Sequence, residues 1–97
     1  MAKAYVIAVY SKIIDPAKLK IYIQDSRFIM GAHGAKALAI GSNTSNILKL
    51  EGIPPERAVI MEFESVEAAQ KAFQSNQVNE EKLEGGVDRV MFVVEGV

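Results

Sequence analysis

His33 is the one histidine in the chain, and its imidazole is the side chain best suited to move a proton near neutral pH. It stands where the first predicted helix ends, so two roles are open. It can border a ligand cleft as general acid or base, or it can cap the helix, where the negative end of the dipole favours the imidazolium. A lone histidine cannot assemble an imidazole metal cluster within one subunit. Cysteine is absent, which excludes thiol nucleophiles, disulfides and cysteine zinc sites. Neither a metal nor a bound cofactor is expected.

Glu62 is the second candidate. It lies inside the apolar run Ala58-Val59-Ile60-Met61-Glu62-Phe63, and a carboxylate on a buried strand needs a partner or takes up a proton. Arg27, Arg57 and Arg89 are the candidate counter-ions; an exposed strand end is the alternative. Arg27 could also fork onto a ligand carboxylate, or remain a solvated helix arginine. Tyr22, with Tyr5 and Tyr10, has the apolar body and polar tip that suit a cavity wall or an ordinary core. Asn43 sits in the polar turn Gly41-Ser42-Asn43-Thr44-Ser45-Asn46, from which it could hold a polar group of a ligand. That turn is not a phosphate loop, because no Gly-Lys-Ser/Thr follows its single glycine. The candidate ligand residues are therefore Tyr22, Arg27, Asn43 and Glu62. Carboxylate neighbours such as Glu80-Glu81 read as surface.

These residues are positioned by a short succession of elements. A strand is expected from about Lys3 to Ser11. Asp15 caps a helix that opens with Pro16, where proline loses no hydrogen bond. Leu19, Tyr22, Ile23, Ser26, Ile29 and Met30 fall on one buried arc of that helix, and it ends within Gly31 to Gly34. Ala35 to Ile40 is the second strand, and Ile47 to Glu51 is expected to return as a short strand of a hairpin arm. Gly52 and Pro54-Pro55 then interrupt regular structure. Ala58 to Glu64 is the third main strand, and Ser65 caps a second helix with Val66, Ala69 and Phe73 on one face. The polar stretch Gln74 to Glu84 has room for one more helical turn, and Arg89 to Glu95 forms the last strand. The order β-α-β-β-α-β, with both helices on one face of an antiparallel sheet, predicts a single ferredoxin-like α+β domain over residues 1–97.

The strands are apolar on both faces. In Ala4-Tyr5-Val6-Ile7-Ala8-Val9-Tyr10 even and odd positions are alike apolar, and Val90-Met91-Phe92-Val93-Val94 repeats the pattern. An antiparallel sheet with one face in water alternates instead. Two helices cover one face, so a second copy of the chain is expected on the other. Ile21 and Phe28, opposite the buried arc of the first helix, leave room for an assembly larger than a dimer.

With a net charge of −1 and scattered lysines, the chain lacks the basic footprint of a nucleic-acid binder or a polybasic membrane patch. No apolar run approaches the roughly 20 residues of a membrane helix, and no secretory signal is evident at Met1 to Tyr5. A cytoplasmic protein without nucleic-acid or membrane partners is the expectation.

Several segments, taken in order, carry a family resemblance. They are Ala4-Tyr5-Val6-Ile7, Asp15-Pro16 followed by Tyr22, His33-Gly34-Ala35-Lys36, Leu50-Glu51-Gly52, Arg57 before Val59-Ile60-Met61-Glu62-Phe63, Ser65-Val66-Glu67-Ala68-Ala69, and Val94-Glu95-Gly96-Val97. The chain resembles the uncharacterised domain-of-unknown-function family thirteen-thirty, of the dimeric α+β-barrel superfamily. The resemblance implies a subunit whose open sheet face packs on a second subunit. It implies no reaction, although the superfamily includes small cofactor-independent monooxygenases. One departure stands out. Such proteins tend to carry a segment resembling Ser-Pro-Glu-Tyr after the second helix, then an arginine; here Ser75-Asn76-Gln77-Val78 takes its place, with no arginine before Arg89. If those groups shape the pocket in relatives, the resemblance implies that this chain's pocket is altered or its activity is absent.

Three functions remain open from the sequence. One is a small enzyme without cofactor, acting on an apolar or aromatic molecule held between sheet and helices. The others are a non-catalytic binder using the same cleft, and a structural or accessory homodimer whose cleft is filled by its own side chains.

Overall fold

A computed structural model describes residues 2–97. Strand β1 (Ala4–Ile13) is followed by helix α1 (Pro16–Ala32) and strands β2 (Lys36–Ser42) and β3 (Arg57–Phe63). Helices α2 (Val66–Ser75) and α3 (Gln77–Leu83) then lead to strand β4 (Val87–Glu95). The sheet is antiparallel with order β2-β3-β1-β4, so β1 and β3 are central. This is the ferredoxin-like α+β fold, with a third helix added before the last strand.

The helix starts are set locally. Asp15 accepts from the amides of Ala17 and Lys18, and Pro16 follows at the first helical position. Ser65 accepts from the amide of Ala68 at the start of α2. His33 is the C-cap of α1, and Gly34 beyond it takes a φ of +81°, open to glycine at little cost.

Directly opposite residues in an antiparallel ladder share a face. The register therefore puts Ala4, Val6, Ala8 and Tyr10 with Phe63, Met61, Val59 and Arg57 on the helix-covered face. Two groups of buried residues lie there. One joins Val6, Met30, Phe63, Ala69 and Ala72; the other joins Ala8, Tyr10, Leu19, Val59 and Leu83. Met61 and Met91 touch both, as unbranched side chains suited to irregular gaps. The opposite face carries Tyr5, Ile7, Val9, Ala58, Ile60, Val90, Phe92 and Val94. Helices cover only one side, and Val90 is left 65% exposed and Phe92 46%.

The expected hairpin strand at Ile47 to Glu51 does not form. Residues 43–46 are a turn and 47–56 are irregular, with Leu50 at 92% and Ile53 at 98% exposure. The turn satisfies its own backbone instead. Asn46 accepts from the Ser42 amide through Oδ1 and donates through Nδ2 to the Ile40 carbonyl, so these groups are not offered to a returning strand. Ile47 folds over Gly41, where a β-carbon would lie 2.8 Å from its Cγ1. The stretch between α2 and β4 is more ordered than its polarity implies: α3 packs its Leu83 into the core.

Candidate functional site

Helix α1 approaches α3 and α2 more closely than it does any strand. The gap beneath it is a cavity of about 250 Å³ between α1 and the sheet. Its walls are mostly small or apolar: Ala8, Ser26, Gly31, Ala35 and Ala37 leave space, while Met30, Met61, Met91, Val59 and Phe73 line it. Short side chains on β2 explain the gap, because Ala37 faces Met61 across the ladder and Leu38 is displaced by a bulge. The cavity opens to the surface, so it is a cleft rather than a sealed void in the core.

The polar groups of the cavity come from two sources: Tyr22, Ser26 and Arg27 on α1, and Tyr10 and Arg57 in one row across the sheet. Ser42, Arg57, Tyr10 and Arg89 are successive partners on β2, β3, β1 and β4. Both guanidiniums lie against the Tyr10 ring, with Arg57 Cζ 5.6 Å and Arg89 Cζ 5.5 Å from its centroid, within cation–π range. Arg89 Cζ also lies 5.3 Å from the Tyr22 ring.

Glu80 on α3 is the hub beside this row. Its Oε1 accepts from Arg89 Nη2 at 2.7 Å, and its Oε2 accepts from the Tyr22 hydroxyl at 2.7 Å and from Asn76 Nδ2 at 2.6 Å. Asn76, fully buried, also donates to Ser26 Oγ at 2.9 Å. Arg89 Nη1 donates to the hydroxyl of Tyr22 at 3.2 Å and more distantly to that of Tyr10 at 3.4 Å. Burial, the Glu80 charge and the bond to it together push the Tyr22 phenol well above its ordinary pKa, against the opposing pull of Arg89. Tyr22 therefore stays protonated. Burial alone would weaken the charge of Arg89, but its bonds to Tyr10 and Glu80 outweigh it and hold its pKa above the usual arginine value.

The residues marked in the sequence separate into different places. Tyr22 and Arg27 line the cavity. Asn43 lines an adjoining groove, which it shares with Arg27, Ile23 and Glu56. His33 caps α1 and does not line the cavity, so the structure does not bring its imidazole to the cleft. Glu62 faces the open side of the sheet and accepts from Lys3 Nζ at 3.4 Å. None of the expected arginines is its counter-ion, because Arg57 and Arg89 stand on the other face and Arg27 is on a helix. Glu80, read from sequence as surface beside Glu81, has a side chain only 13% exposed. The signal for it was present in the spacing Asn76, Glu80, Leu83, which puts all three on one helical face.

The geometry defines a class: a ferredoxin-like domain with one uncovered sheet face and an apolar cleft with arginines under its first helix. The chain belongs to the family described as "Domain of unknown function (DUF1330)", whose model matches residues 3–97. No curated protein matches it by sequence. Among solved structures, it is similar to the RPA0582 protein of unknown function from Rhodopseudomonas palustris, with a TM-score of 0.75 at 13% identity over 99% of this chain and 83% of that one. A dimeric ferredoxin-like protein of unknown function from Thermobifida fusca matches with a TM-score of 0.65 at 15% identity, covering 97% and 91%. SnoaB, a cofactor-independent oxygenase from Streptomyces nogalater, matches with a TM-score of 0.65 at 7% identity, covering 97% and 92%. At these identities the likeness is one of fold.

Proposed function

We propose that this protein is a homodimer that binds a small, largely apolar or aromatic molecule between α1 and the sheet, without a bound cofactor. The observation that carries this reading is the cavity of about 250 Å³ itself. An engineered apolar cavity of about 150 Å³ accepts benzene; this one has room for a fused pair of rings or a ring with a short chain. Three methionines in its wall let it adapt to an irregular guest.

Binding is favoured over catalysis by the chemistry of the wall. Among the described residues its ionisable groups are tyrosines and arginines, with no imidazole or carboxylate. Tyr22 holds its proton firmly. A proton-moving enzyme would want a group that titrates near neutrality.

The homodimer is supported by the apolar open face, where Ile7, Val9, Ile60, Val90, Phe92 and Val94 lie together without a helix above them. The Thermobifida fusca neighbour, described as dimeric, has the same fold.

The test is a titration of methyl-labelled methionine protein with naphthalene-2-carboxamide, followed by NMR. The expected result is saturable shifts at Met30, Met61 and Met91. Absence of any shift at millimolar ligand, with no molecule retained in native mass spectra of protein from its source cells, would overturn the reading.

A further inference from the structure

We propose that the cleft is built for a molecule bearing a carboxylate, which Arg57 binds at the cavity floor while Arg27 stands at its rim. This rests on the cleft-binding reading above and adds the chemical class of the ligand.

The two arginines that flank Tyr10 are treated unequally. Arg89 has a carboxylate, Glu80, at 2.7 Å. Arg57 has none: the ion pairs among the described residues are Lys3–Glu62 and Arg89–Glu80. Its Nε is shielded from solvent and has no hydrogen-bond partner. A guanidinium donor in that state is costly unless something accepts from it. The neighbouring acid, Glu56, is already engaged, since its Oε1 accepts from the Ile13 amide at 2.6 Å. Stacking on Tyr10 offsets part of the cost of burying the charge but satisfies no N–H.

Charge points the same way. Arg57, Arg89 and Arg27 bring three positive charges to the row and cleft, against Glu80 beside Arg89 and Glu56 in the adjoining groove, which leaves one positive charge in excess. An anion in the cleft would restore balance. The fork of Arg57 suits the two oxygens of a carboxylate, and the surrounding Met61, Val59 and Ile40 suit an apolar body behind it. Cavity size limits that body to about two rings.

The test compares naphthalene-2-carboxylate with its neutral isostere naphthalene-2-carboxamide, by calorimetry and methionine-methyl NMR. On the native protein the acid is expected to bind at least tenfold more tightly, with a preference that shrinks as salt is raised. Arg57→Met should abolish the preference while leaving the amide bound, and Arg57→Lys should keep a reduced preference. Amide binding with no preference for the acid would overturn this proposal and leave the cleft reading standing. Binding of neither would overturn both. Should Arg57→Met fail to fold, the acid-to-amide ratio on native protein and on Arg57→Lys decides the matter alone.

Discussion

Arg89 and Glu80 form a bond of 2.7 Å that ties the last strand to a helix only seven residues long. Both side chains are largely withdrawn from water, at 14% and 13% exposure. Such a pair is not strong evidence of net stabilisation, but removing one partner leaves a buried charge without compensation.

Glu80→Ala is therefore expected to lower stability by about 3 kcal/mol in urea unfolding, since Arg89, Tyr22 and Asn76 all lose their acceptor. Glu81→Ala, on the exposed side of α3, should stay within about 0.5 kcal/mol. Equal effects of the two substitutions would contradict the role given to Glu80.

Alkaline pH should unfold the protein partly through Tyr22. Its pKa is raised in the folded state above the ordinary 10.0, so the folded chain keeps a proton that the unfolded chain releases. The corresponding stability is complete below pH 10 and declines as pH rises beyond it. Tyr22→Phe should cost about 1 kcal/mol at neutral pH and lose stability less steeply above pH 10. Parallel curves for the two proteins would refute the assignment.

Asp15→Ala should cost about 1 kcal/mol, because the carboxylate accepts from two amides of the first turn of α1. Asp15→Asn should recover most of it. Thermal unfolding of the three proteins gives the comparison.

Phe92→Asp should separate the subunits. Phe92 pairs with Ile7 across the ladder on the uncovered face, and a two-fold interface would bring the introduced charges close in both subunits. Light scattering should report a dimer for the native protein and a monomer for the variant at micromolar concentration. An unchanged mass for Phe92→Asp would place any interface elsewhere.

The elements were legible because their signals are local. Asp15-Pro16, Ser65 and the glycines after α1 mark helix ends within a few residues, and the helix arc from Leu19 to Met30 follows from period alone. The hairpin strand at Ile47 to Glu51 was misread because alternating apolar residues look the same whether or not a partner strand is there to receive them. The apolar run around Glu62 leaves both an arginine counter-ion and an exposed strand end open, because its face depends on register with β1, where it meets Tyr5 and lies near Lys3.

The succession of elements along the chain, the helix caps and the two-faced character of the sheet were thus determined by the sequence by itself, since each depends on neighbours in the chain or on side-chain period. Only the tertiary structure decided that Arg57, Tyr10 and Arg89 share one row, that Glu80 answers one arginine and not the other, and that His33 lies away from the cleft. Those relationships join residues up to 79 positions apart. They arise from how strands align and how far α1 stands from the sheet, which no local spacing records.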